Sequence, residues 1–457
     1  MTIDQSIFKA YDVRGTYPDQ MNEEVAYKIG RALALFLAAE SGKAVADLTV
    51  GVGRDMRLSA PDMAAKYIEG LTDSGANVLD VGQVGTEVLY WIVNHRGLDG
   101  GAMVTASHNP AAYTGAKLVR SKALPLSGDS GIGEIRDAVL DDSLGEIAAA
   151  KGSVAQEDVM AEFQLHALGF INPEAVKPIR VVADGGNGMA GPMVGPVFGE
   201  LPVIDLKTYY WTPDGTFPDH EPNPLLPENR EFIIETVKSE KAELGIAWDG
   251  DADRCFFIDE NGRFVDGDFL TALLAESLLK KFPGETILYD VRASRAVADT
   301  VLAAGGRPMV NRVGHAFFKS RMHENGALFG GEVSGHYYFR DFGCIDSGTL
   351  PALLILEMLG ERDVTLGELV DGYREKYFIT GEINSTVDDA QAVLEEIERR
   401  YGDGEIMKLD GINVDYDDWH FNVRASNTEP LLRLNLEAFN QKHMEEKRDE
   451  LLALIRG

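Results

Sequence analysis

The sequence predicts an α/β protein: three strand–helix–strand domains in succession, closed by a smaller α+β domain. Three observations predict it. A length of 457 residues suggests about three domains at roughly 150 residues each, with four within reach. One supersecondary pattern occurs three times: an apolar strand, a polar turn, an amphipathic segment and a second apolar strand. Such units imply parallel sheets covered by helices. The residues after 374 then break the pattern.

In the first copy LTVGVGRD is the strand, SAPDMAAKYIEGLTDSG the helix and NVLDVG the second strand. IRVVADGGNG, MAGPMVGPVFGE and LPVIDLK form the second copy, and TILYDVRAS, RAVADTVLAAGG and RPMVNRVG the third. Gly75, Gly199 and Gly305–Gly306 fall near the helix ends, where glycine readily takes the left-handed turn. The copies begin near Leu48, Ile179 and Thr286, too far apart for a solenoid. In the tail, the helical run VDDAQAVLEEIERRYG precedes the strand-like GINVDYDD, WHFNVRAS and LLRLNLEAF, and the charged helix QKHMEEKRDELLALIRG follows. Successive strands with flanking helices read as α+β. Asn261–Gly262 between CFFI and FV signals a tight hairpin. The expected domains are 1–150, 151–260, 261–374 and 375–457.

Composition narrows the function. With 45% apolar and 26% charged residues the chain is globular, and its net charge of −31 argues against nucleic acid, which is held by clustered cations. An anionic substrate would need a local basic pocket. Two cysteines, Cys255 and Cys344, rule out a disulfide framework and suit a reducing compartment. MTIDQSIFKAYDVRG has no basic segment followed by an apolar one, so no signal peptide is expected. No apolar run approaches the ~18 residues of a membrane span. A soluble, cytoplasmic, multidomain protein without a membrane partner is the expectation.

Four clusters carry chemistry. TASHNP, residues 105–110, follows the strand-like GAMV and leaves Ser107 exposed on a loop beside His108, with Lys117 following. Ser107 is a candidate nucleophile or phosphate carrier; alternatively the hydroxyls close their own turn. AWDGDADRCFF carries Asp249, Asp251 and Asp253 at a spacing of two. At ~4 Å and an effective dielectric near 20, each like-charged pair costs about 4 kcal/mol. A bound cation removes that cost, and an all-oxygen set favours magnesium or calcium. Glu260 stands twelfth from Asp249, as in a calcium-binding helical loop. That motif needs glycine at its sixth position, where Arg254 stands, and flanking helices, where strands are expected. In GGEVSGHYYF, Glu332, Ser334 and His336 alternate, so an extended segment would place them on one side, suited to sugar hydroxyls or simply to a polar face. VRASNTEP offers Arg424, Ser426, Asn427 and Thr428, with Arg433 after, a set suited to a phosphate or to a capped turn. A decoy is Gly186-x-Gly188-x-x-Gly191 after VVAD, with Asp205 downstream, which matches a dinucleotide fingerprint. Pro192 and Pro196 make the segment a poor helix former.

Together FKAYDVRG, TASHNP, DGDADR, GEVSGH and RASNTEP, in this order, resemble the α-D-phosphohexomutases, with the bacterial phosphomannomutase/phosphoglucomutase branch the best match. The resemblance covers essentially the whole chain. It implies three related α/β domains with mixed sheets and a smaller C-terminal α+β domain around a central cleft, which the last domain closes over to exclude water. It also implies reversible conversion of a hexose 6-phosphate into a 1-phosphate through a phosphoserine enzyme and a hexose 1,6-bisphosphate, with Mg2+ as cofactor. By the same similarity Ser107 would be the phosphoserine, and Asp249, Asp251 and Asp253 the metal ligands, joined by a phosphate oxygen on Ser107. Glu332 and Ser334 would hold sugar hydroxyls, and Arg424, Ser426, Asn427 and Thr428 the phosphate that is not reacting. Arg14, His108 and Lys117 would neutralise charge developing during transfer. Tyr11, Arg14, Lys117, Arg254 and His315 match positions lining the cleft, and Arg433 is grouped with the phosphate-binding residues. Arg292 stands where relatives often carry lysine, and arginine keeps the charge but alters the geometry. His336 and Lys117 are alternative general bases; His315 and His336 can instead be read as packing residues of their loops.

Mannose is the expected hexose, with glucose second. Phosphoglucosamine mutases typically carry glutamine where this chain has Val333, which weakens that alternative. A metal-dependent phosphohydrolase using the same serine, a nicotinamide-dependent dehydrogenase and a silent phosphosugar-binding protein are the competing readings. A monomer or homodimer is expected.

Overall fold

The computed structural model describes residues 3–128, 130–425 and 431–457. The chain forms two compact units, Met1–Phe264 with Ser334–Leu366, and Val265–Val333 with Gly367–Gly457. The stretch 261–374 therefore contributes to both.

The first unit opens with a six-stranded sheet in the order Val13–Thr16, Tyr113–Arg120, Gly100–Val104, Thr49–Arg54, Asn77–Gln83 and Val154–Gln156. The first three strands pair antiparallel with one another, and the pairs made by Thr49–Arg54 and Asn77–Gln83, including that with Gly100–Val104, are parallel, so the sheet is mixed. Its central strands are buried along nearly their whole length, the pattern of a sheet covered on both faces. The helices Glu23–Ser41 and Ala60–Asp73 pack on it; Gly75, just past the second, is left-handed at φ 100°.

A second mixed sheet of the same unit aligns Cys255–Asp259, Leu244–Trp248, Ile179–Asp184 and Ile204–Tyr209. Between its parallel strands lies the helix Ala190–Gly199, despite the two prolines. Pro192 occupies the first turn, where its missing N–H is no loss. Pro196 leaves the carbonyl of Pro192 without its helical donor, and the Gln164 amide supplies one at 3.1 Å. Gly199 is the last residue of that helix and is not left-handed, unlike Gly75 and Gly305. The Asn261–Gly262 hairpin forms as expected, with Gly262 at φ 71° and Asp259 N–H donating to Arg263 O at 2.9 Å. The unit is completed by the antiparallel pair Tyr337–Phe339 and Ile345–Asp346 and the buried helix Thr349–Arg362.

In the second unit Thr286–Asp290 lies parallel to both Arg307–Asn311 and Phe329–Gly331, with the helices Gly267–Lys281, Arg295–Ala303 and His315–Asn325. Its C-terminal sheet is antiparallel in the order Phe378–Ile379, Leu431–Ala438, Trp419–Ala425, Ile412–Asp415 and Glu405–Met407, with Ile383–Thr386 also on Leu431–Ala438. Phe421, Val423, Leu434 and Leu436 form a core with Ile397, Leu451 and Ile455 from two helices, the α+β arrangement expected of the tail.

Candidate active site

Ser107 sits in the connection between the antiparallel strands Gly100–Val104 and Tyr113–Arg120. The strand ends at Val104, before Pro110, and the loop turns inward, so Ser107 is only 4% exposed and not the open loop residue the sequence suggested. Its backbone is left-handed at φ 49°, and Thr105 Oγ1 accepts its N–H at 2.8 Å. The cause of the inward turn is Arg57. Its guanidinium donates to the carbonyls of Pro110 and Tyr113 at 2.9 and 3.0 Å and of Ser107 and Asn109 at 2.7 and 2.6 Å. Asp55 backs it at 3.3 Å, and both side chains are buried.

The loop after Leu244–Trp248 brings Asp249, Asp251 and Asp253 beneath Ser107, all three buried. Ser107 Oγ donates to Asp249 Oδ2 at 3.0 Å, and His108 Nδ1 lies 3.2 Å from the same hydroxyl. One carboxylate oxygen from each aspartate lies within 4.8 Å of the others. Lys117, on the return strand opposite Met103, donates to Asp251 at 2.6 Å and also to Asp253. Arg254 bonds Asp249 at 2.9 Å through its side chain, and the Thr86 hydroxyl caps Asp251. Burial pushes the Asp253 and Asp249 carboxyls up, whereas Lys117 and its hydrogen bond hold Asp251 low against the same burial. The aspartates in turn keep Lys117 protonated far above its ordinary range, although burial opposes it. His108 is pushed well down by burial and by Arg254 and Arg14, so it is a neutral hydrogen-bonding partner of Ser107 and not the charge-neutralising cation expected.

Asp251 Oδ1 and Asp253 Oδ1 are buried with no hydrogen-bond donor among the described residues. Orphaned carboxylate oxygens in a buried trio of aspartates fit a hard divalent cation.

His336 joins this group: Ser334 Oγ lies 3.1 Å from its Nδ1, and Asp253 Oδ1 lies 3.9 Å from its Nε2. Asp346 completes a second close trio with Asp253 and His336. The segment carrying Ser334 and His336 is a turn with Gly335 at φ 86° and not the extended strand expected. Arg14, across from Gly115, pairs with Asp12 and donates to Asn109 Oδ1 at 2.6 Å. Tyr11 is half-buried in the bend before that strand.

A cationic group occupies the second unit. Arg292 pairs with both oxygens of Asp290 at 3.0 and 2.8 Å and stands 4.0 Å from Glu332. Glu332 accepts the Gly314 N–H at 2.8 Å, beside His315, which opens its helix. Arg424 and Arg433 face each other across paired strands and both bond Glu382. Ser426, Asn427 and Thr428 lie outside the described residues.

The glycine segment has a packing role. A Cβ on Gly188 would lie 2.5 Å from the carbonyl of Gly250 in the aspartate loop, and one on Gly191 would lie 1.9 Å from that of Trp211. Both positions need glycine for close backbone approach, without any dinucleotide. Arg57, Thr86, Asp346 and Glu382 were missed from the sequence, since none stands in a cluster of reactive residue types.

Models of the phosphoglucomutase/phosphomannomutase α/β/α domains I, II and III match residues 5–144, 162–262 and 266–377, and that of the C-terminal domain matches 382–454. The chain belongs to this family. A phosphohexose mutase of Xanthomonas campestris is 43% identical over 455 residues, covering 98% of this chain and 99% of its own. A phosphomannomutase of Vibrio cholerae is 42% identical over 457 residues, covering 98% of each. Among solved structures, a phosphoglucomutase/phosphomannomutase family protein of Burkholderia thailandensis superposes with a TM-score of 0.89 at 33% identity, covering 99% of this chain and 97% of that one. The protein is therefore an enzyme, a hexose-phosphate mutase, and the hydrolase and dehydrogenase readings are not favoured. No helix among the described residues is long and apolar enough to cross a membrane.

Proposed function

We propose that this mutase interconverts hexose 6-phosphate and hexose 1-phosphate, with mannose preferred and glucose second, through a phosphorylated Ser107 and a hexose 1,6-bisphosphate. The observation that carries the reading is Ser107 Oγ set 3.0 Å from Asp249 within the buried aspartate trio. The identity of the sugar rests on the named relatives and on Val333.

Asp249, Asp251 and Asp253 would hold Mg2+ together with an oxygen of the phosphoserine; when bound, the ion polarises the phosphoryl group. A hexose hydroxyl oxygen forms its bond to phosphorus as the bond from phosphorus to Ser107 Oγ breaks. The hydroxyl proton goes to a base. Lys117, kept charged by two carboxylates, is better suited to neutralise the transferring group, and His336, poised by Ser334, to take the proton. Neutral His108 offers a hydrogen bond to the departing Oγ. Arg424, Ser426, Asn427 and Thr428, with Arg433 and Arg292, grip the phosphate that is not reacting. Glu332 and Ser334 read sugar hydroxyls. Once the bisphosphate has turned round, the same steps in reverse return a phosphate to Ser107.

Intact mass and peptide mapping test the carrier, with one phosphate on Ser107 expected. Ser107→Ala should reduce turnover by on the order of a thousand-fold or more; undiminished turnover would remove the phosphoserine from the reaction. Equal rates on mannose, glucose and glucosamine 1-phosphates would undo the ranking of sugars.

A further inference from the structure

Three guanidinium groups converge on a single carboxylate in the second unit. Glu382 Oε2 accepts from Arg292 Nη1 at 3.3 Å and Arg424 Nη2 at 3.5 Å, and its Oε1 accepts from Arg433 Nη1 at 3.3 Å. Arg292 has a second carboxylate, Asp290, whereas no other carboxylate hydrogen-bonds Arg424 or Arg433 among the described residues. The Nε atoms of Arg424 and Arg433 are buried without a hydrogen-bond partner among those residues. Donors and positive charge thus exceed what one carboxylate satisfies, as in a cradle shaped for a phosphate dianion with three oxygens.

The partners differ in freedom. The side chains of Arg292 and Arg424 are 6% and 9% exposed, that of Glu382 24%. Arg424 lies on a paired strand, and Arg292 is pinned by both oxygens of Asp290. Glu382 lies in the link between Phe378–Ile379 and Ile383–Thr386, directly after Gly381 at φ 65°. Arg292 and Arg424 are the fixed side of the contact, whereas Glu382, and Arg433 with its side chain 26% exposed, are the freer one.

We propose that Glu382 is a built-in placeholder for phosphate: its carboxylate occupies the arginine cradle in the absence of substrate, and the substrate's non-reacting phosphate displaces it. This rests on the assignment of Arg424 to the phosphate grip. The placeholder keeps three like charges together while no ligand is bound. It also lowers net phosphate affinity, because binding must give up the Glu382 contacts. A mutase whose bisphosphate must let go of one site to present its other end gains from such a weakened grip, whereas a permanently open cradle would hold it too long.

Calorimetric titration of the full-length protein with inorganic phosphate tests this, alongside kcat and KM for the hexose phosphate. Glu382→Gln removes the charge; Glu382→Asp keeps it but withdraws it by one methylene, and guards against a folding defect in the first variant. Glu382→Gln should bind phosphate about ten-fold more tightly, with KM and kcat both lowered, and Glu382→Asp should shift the same way by less. Arg424→Ala should weaken phosphate binding. Unchanged or weaker phosphate affinity in both Glu382 variants, with Arg424→Ala still impaired, overturns the placeholder and leaves the phosphate grip standing. If Arg424→Ala binds phosphate as the wild type does, the grip itself is wrong and the placeholder falls with it.

Discussion

Arg57 bonds four backbone carbonyls at once, and a buried carbonyl stripped of its donor costs about 1–3 kcal/mol. Arg57→Met should therefore lower unfolding free energy by ~3 kcal/mol or more, measured by urea denaturation. It should also depress kcat more than KM, because the left-handed backbone of Ser107 depends on that clamp. Arg57→Lys, with one nitrogen for two, should recover only part of both. At this scale the sequence was informative wherever reactive types stand close together, as in the Asp249–Asp251–Asp253 spacing. It was silent on Arg57, whose partner carbonyl in Ser107 lies 50 residues away. His108 illustrates the same limit: its place beside Ser107 was legible, but the burial and the two arginines that keep it neutral are tertiary facts.

At the scale of elements, the helix Thr86–His95 presents Thr86 to Asp251 and Glu87 to Thr349, so its first turn ties the aspartate loop to the helix Thr349–Arg362. Glu87 Oε2 is buried without a partner among the described residues, and burial pushes this carboxyl from 4.5 to about 8. Folded, Glu87 keeps a proton that the unfolded chain releases above its ordinary value. Its contribution to stability is therefore full below pH 4.5 and is lost as pH rises through about 8, with a slope of up to about 1.4 kcal/mol per pH unit. Glu87→Gln, which mimics the protonated form, should match the wild type at low pH and melt higher above pH 8; parallel melting curves across the range would refute this. Strand–helix–strand periodicity revealed the elements themselves. Periodicity placed Ala190–Gly199 as the second helix and only the proline content spoke against it, because the amide that rescues the proline-containing turn comes from Gln164, in another helix.

For the molecule as a whole, the aspartate trio concentrates negative charge in a chain already at −31. A cation bound only by the folded state stabilises it, by about 2.7 kcal/mol at a hundred times its Kd. Mg2+ should raise the melting temperature and EDTA lower it, with loss of turnover. In Asp253→Asn, which removes a ligand charge, the thermal response to Mg2+ should largely vanish. An unchanged response in that variant would place the ion elsewhere.

By itself the sequence determined the family, the strand–helix–strand units, the α+β tail and the residue types of the chemistry, because motifs and periodicity are local and survive in one dimension. Only the tertiary structure decided the states of those residues: Ser107 buried and clamped, Lys117 locked between carboxylates, Glu382 seated among three arginines. Charge state and burial depend on neighbours brought together across long stretches of chain, 142 residues for Ser107 and Asp249, and no local pattern encodes them.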